Sequence, residues 1–96
     1  MTSPIKAKNW TFYADPGHGW LKVARKDIAA AGVAEAITSF SYQRGDYVYL
    51  EEDCDMSTFL SAVNKAGYDW SEIKDRIKTQ HTNKTSKIRG YERYRR

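Results

Sequence analysis

Apolar and polar residues alternate over the first third of this chain, and the spacing then shifts towards that of helices. The stretch Asn9-Trp10-Thr11-Phe12-Tyr13-Ala14 is rich in aromatic and β-branched residues and predicts a strand. It runs into Asp15-Pro16-Gly17-His18-Gly19, where Pro16 suits the second position of a tight turn and Gly17 is expected to take positive φ after it. Trp20 to Val23 alternates again, which predicts a hairpin over residues 9 to 24. Asp27 is expected to cap a short helix through Ala31, with Gly32 as its left-handed terminator and Val33 as the following apolar contact.

A period of two returns from Ile37 to Leu50 and predicts a second hairpin over residues 37 to 51. With Arg44-Gly45 as its loop, Tyr42 faces Tyr47 and Phe40 faces Tyr49, while Ser41, Val48 and Leu50 point the other way. Four aromatics then share one face. Phe59, Leu60 and Val63 follow at helical spacing, so a helix is expected over residues 55 to 66, capped by Asp55 and closed at Gly67. Asp69-Trp70-Ser71-Glu72 has the form of a capping box, which starts a second helix reaching about residue 79. Alternation through Ile73, Asp75, Ile77 and Thr79 also permits a last strand. The expected fold is a small α+β domain: two β-hairpins with one or two helices on one sheet face, covering residues 1 to 80, and a basic tyrosine-rich tail or wrap over residues 81 to 96.

Composition sharpens this outline. Ninety-six residues with 41% hydrophobic positions support one core, and a single cysteine precludes an internal disulfide. With no apolar segment at the N-terminus or elsewhere, a cytoplasmic location in a bacterial host is expected. The net charge of +4 is unevenly placed. From Lys74 to Arg96 nine basic residues face Asp75 and Glu92, giving +7, whereas the first 73 residues carry seven basic and ten acidic side chains, giving −3. Such a tail suits phosphate or an acidic protein. Its candidate contacts are Lys84, Lys87, Arg89, Arg93, Arg95 and Arg96, interleaved with Tyr91 and Tyr94 for base stacking.

Against that basic end stands YLEEDCD at residues 49 to 55, four carboxylates around Cys54. Helix capping accounts for part of the run but not for both Glu51 and Glu52. The donors Cys54, His18, His81 and the nearby acids follow no zinc or calcium spacing, so neither a metal nor any other cofactor is expected. Cys54 is expected to be an inert, buried or half-buried thiol, since carboxylates raise a thiol's pKa. Arg44-Gly45-Asp46 is explained by turn geometry rather than adhesion. An enzymatic alternative pairs His18 and His81 as base and acid, with Thr82 and Glu51, in a phosphodiester-cleaving site. No catalytic signature favours it, and a non-enzyme is expected.

Three stretches, DPGHGWLKV (15 to 23), SYQRGDYVYLEEDCD (41 to 55) and HTNKTSKIRGYERY (81 to 94), together resemble a family of small proteins encoded by bacteriophages and other mobile elements. The resemblance implies a stoichiometric binding protein that inhibits or redirects a host factor, including defence systems of the CRISPR or restriction type. On that expectation Glu51, Glu52 and Asp53 steer the protein to a basic partner surface, and exposed members of Phe40, Tyr42, Tyr47 and Tyr49 anchor it. Direct nucleic-acid binding through the tail is the alternative.

Overall fold

The computed structural model describes residues 9 to 95. It is an α+β domain with one six-stranded mixed sheet and three α-helices. In chain order the strands are β1 (Trp10–Ala14), β2 (Gly19–Ala24), β3 (Tyr42–Arg44), β4 (Tyr47–Glu51), β5 (Ile77–His81) and β6 (Glu92–Arg93), and the helices are α1 (Arg25–Ala30), α2 (Asp55–Lys65) and α3 (Trp70–Asp75). The sheet order is β5-β1-β2-β4-β3-β6, with β5 parallel to β1 and every other neighbour antiparallel.

Alternation along β2 sends Leu21 and Val23 to one face and Trp20 and Lys22 to the other. The first face carries the main core: Trp10, Leu21, Val23, Val48 and Leu50 pack with Ile28 of α1, Phe59 and Val63 of α2 and Ile73 of α3. Phe59 meets Trp10 edge to face, with ring centroids 5.5 Å apart. The chain passes through α2 and α3 on its way from β4 to the far edge beside β1, and so carries both helices across this face.

The β1–β2 turn closes differently from the expected glycine turn. Gly17 does not take positive φ; the Asp15 carboxylate accepts hydrogen bonds from the Gly17 and His18 amides at 2.9 Å each, and these fold the loop instead. Gly19 is needed for a close approach, because a Cβ there would lie 2.1 Å from Cζ of Phe12. In the second hairpin the loop is Gly45-Asp46, with φ of 59° at Gly45, and the register is Tyr42 with Tyr49 and Arg44 with Tyr47. The expected pairing was two residues out. An even slip keeps every side chain on its face, so Tyr42, Tyr47 and Tyr49 do share one. Phe40 lies outside the ladder, in a turn before β3.

Three further expectations are corrected. Asp27 lies inside the first turn of α1 and Ala24 is its N-cap residue, although Gly32 ends the helix with φ of 74° as its sequence suggests. Asp55 is the first residue of α2 rather than its cap. Its fully buried carboxylate accepts from Thr38 N (3.0 Å), Thr38 Oγ1 (2.7 Å) and Ser41 Oγ (2.5 Å), pinning the loop before β3. Residues 70 to 79 are not one helix. Asp69 does cap α3 by accepting from the Glu72 amide at 2.9 Å, but the helix stops at Asp75 and residues 77 to 81 pair with β1, whose edge they cover.

Candidate functional site: a strap over an aromatic, cationic sheet face

The second sheet face carries Tyr13 from β1, Trp20 and Lys22 from β2, Tyr42 and Arg44 from β3, and Tyr47 and Tyr49 from β4. Residues 82 to 91 cross it as a strap. The strap starts at the β1–β2 turn, where Asp15 accepts from the Ser86 amide at 2.9 Å and takes both prongs of the Arg89 guanidinium, Nε at 2.7 Å and Nη2 at 2.9 Å. These contacts, that of Arg89 first, hold the Asp15 carboxyl well below the usual carboxylate range. Ile88 then plugs the face between Trp20, Tyr42 and Tyr49, and Tyr91 packs against Tyr49 with ring centroids 5.1 Å apart. Burial, followed by the field of the Tyr91 phenol, pushes the Tyr49 hydroxyl up to about 12.

Beyond the strap, β6 adds to the β3 edge, where Gln43 Nε2 donates to Glu92 Oε1. Tyr94 turns into the main core and donates its hydroxyl to Ala34 O at 2.7 Å. Residues 82 to 95 are therefore built into the fold at four points, Asp15, Ile88, Gln43 and Tyr94.

Two cavities on this face are lined in part by the strap. The larger, about 610 Å³, is lined by Lys22 and Arg44 from the sheet, Lys84 and Lys87 from the strap, and the rings of Tyr13, Tyr49 and Tyr91; no carboxylate lines it. Lys22 Nζ lies 4.1 Å from the centre of the Tyr47 ring and the Arg44 guanidinium 5.0 Å from that of Tyr91. Among the described residues none of the four cations has a carboxylate ion-pair partner. Four positive charges with no counter-charge raise the local potential and attract a polyanion.

The smaller cavity, about 480 Å³, holds His18, Trp20, Phe40, Glu51, Asp53 and Cys54, with Tyr42, Arg89 and Arg93 completing the wall. His18, Glu51 and Asp53 offer ligand atoms that all lie within 4.8 Å of one another. The expectation that no ligand set converges is corrected here, because the β1–β2 turn delivers an imidazole to the end of β4, a meeting that sequence spacing does not encode. His81 belongs neither to this group nor to this cavity. Cys54 is exposed rather than buried, and the carboxylates of Asp55 and Glu51 push its thiol up, away from nucleophile chemistry.

The four candidate aromatic anchors divide into a buried and an exposed pair. Tyr42 and Tyr49 are buried because the strap covers them, whereas Phe40 (64% exposed) and Tyr47 (42%) face solvent. Glu52 and Asp53 are exposed and Glu51 is half-buried beside Trp20. Of the tail residues, Lys84, Lys87 and Tyr91 line the larger cavity. Arg89 is committed to Asp15, Arg93 donates to Ser39 O at 3.2 Å and lies over Tyr42, Arg95 pairs with Glu92 at 2.9 Å, and Tyr94 is core. Arg96 lies outside the described residues. Lys22, Arg44 and Tyr13 were missed by sequence reasoning; the alternation that puts Lys22 on the face of Trp20 was the available signal.

No helix among the described residues is long and apolar enough to cross a membrane. No family model, curated protein or solved structure matches the chain.

Proposed function

We propose that this protein binds single-stranded nucleic acid in the larger cavity, without catalysing a reaction on it. The observation that carries this reading is the lining of that cavity: Lys22, Arg44, Lys84 and Lys87 with three tyrosines and no carboxylate. Lysine and arginine take phosphates, and the half-buried rings of Tyr13 and Tyr91 accept the face of any base, which gives affinity with little sequence preference. A groove roofed by a strap suits a single strand better than a duplex. Fluorescence anisotropy with a labelled single-stranded oligonucleotide at low salt tests it, using the full chain and Lys84→Glu/Lys87→Glu. Tight binding by the native protein and none by the variant is expected; equal binding by both overturns the reading.

A second reading, a phage-derived inhibitor that captures a host protein, draws on one observation. Phe40 is exposed at the mouth of the smaller cavity beside Glu51 and Asp53, an apolar anchor with acidic neighbours. In this reading Glu52→Lys slows association with a basic host partner and Phe40→Ala speeds dissociation, both readable by surface plasmon resonance. Unchanged kinetics for both variants would remove it.

A further inference from the structure

The smaller cavity contains a charge arrangement that nucleic-acid binding in the larger one leaves unexplained. Glu51 at the end of β4 and Asp53 in the turn before α2 bring two carboxylates to the imidazole of His18, with all three ligand atoms within 4.8 Å of one another. No hydrogen bond or ion pair joins these three side chains to any other described residue or to one another. Of the two arginines in the same wall, Arg89 is paired with both oxygens of Asp15 and Arg93 donates to the Ser39 carbonyl, and neither forms an ion pair with Glu51 or Asp53. Two carboxylates therefore converge with no side-chain cation at ion-pair distance, and a metal ion joining them would relieve their mutual repulsion.

We propose that His18, Glu51 and Asp53 form a binding site for a divalent first-row metal ion. One imidazole and two carboxylates suit manganese, iron or zinc, whereas magnesium and calcium prefer all-oxygen sets. Metal–ligand distances of about 2.0–2.2 Å place donors around one ion roughly 3 Å apart. The present spacing reaches that by rotation of side chains of which two, His18 and Asp53, are exposed. Three protein ligands leave positions open towards the cavity, where Trp20 and Phe40 stand. The inference does not rest on nucleic-acid binding, since the two cavities share no lining residue.

Full-length protein stripped with chelator and dialysed is titrated with manganese while amide and indole resonances are followed by NMR, and with zinc by calorimetry. Paramagnetic broadening centred on His18, Asp53 and the Trp20 indole, whose ring centroid is 6.2 Å from that of His18, is expected, with one zinc per chain. His18→Gln and Asp53→Asn each weaken zinc binding by about tenfold or more, since even outer-shell changes cost that much. His81→Gln leaves it unchanged. Broadening centred on His81, stoichiometric binding that survives both ligand substitutions, or no binding at all overturns the site. The broadening map uses only native protein, so it decides the question even where a variant misfolds.

Discussion

The salt dependence of oligonucleotide binding gives the proposed groove a quantitative test. Each phosphate neutralised on a single strand contributes about −0.7 to the slope of log affinity against log salt. Lys22, Arg44, Lys84 and Lys87 all contacting phosphate give a slope of roughly −2.8. Raising monovalent salt fourfold, from about 50 to about 200 mM, then weakens binding about 50-fold. Replacing Lys84 and Lys87 by alanine removes two contacts, and the slope falls to roughly −1.4, or about sevenfold over the same range. Both lysines are exposed on the strap and have no ion-pair partner among the described residues, so the fold should be indifferent to their loss. Anisotropy titrations at four salt concentrations measure the slope directly. A native slope near zero, or a variant slope equal to the native one, refutes the groove as a phosphate site. Deleting residues 89 to 96 would be a poorer experiment, because it removes the partner of Asp15 and the buried Tyr94 and tests stability instead.

Two further outcomes follow from buried groups. Asp55→Ala leaves the buried Ser41 hydroxyl and the half-buried Thr38 amide and hydroxyl without their acceptor; at about 1–3 kcal/mol for the buried group and less for each half-buried one, a loss of about 2–4 kcal/mol is expected in urea unfolding, and a loss below about 1 kcal/mol would show that the loop before β3 does not depend on this carboxylate. Tyr49 should ionise at about 12, above its ordinary 10.0, so between those values the unfolded chain loses a proton that the folded one keeps, and stability from this group, intact below pH 10, falls as pH rises through the window. A tyrosinate absorbance step near pH 12 that is absent in Tyr49→Phe checks it, and a step that persists in the variant contradicts it.

Local signals carried the elements further than they carried the site. At three helix ends one short segment was sufficient: Gly32 and Gly67 both take positive φ and end α1 and α2, and the Asp69 box starts α3. Strand alternation assigned Tyr42, Tyr47 and Tyr49 to a common face even though the hairpin register was two residues out, because side-chain direction depends on parity and not on partner. What the sequence could not contain is which distant segments meet. The capping box that begins α3 says nothing of β5, which forms because the β1 edge offers it backbone partners. Helix-cap chemistry at Asp55 looked complete in one segment, yet its carboxylate is spent on Thr38 and Ser41. The tail has the composition of a free basic arm, and only the contacts of Ser86 and Arg89 with Asp15, of Ile88 with Trp20 and of Tyr94 with Ala34 turn it into a strap. Those contacts span more than fifty residues of chain, so they are set by the packing of a whole sheet face, and it is that packing which makes one groove from Lys22, Arg44, Lys84 and Lys87 and one cluster from His18, Glu51 and Asp53.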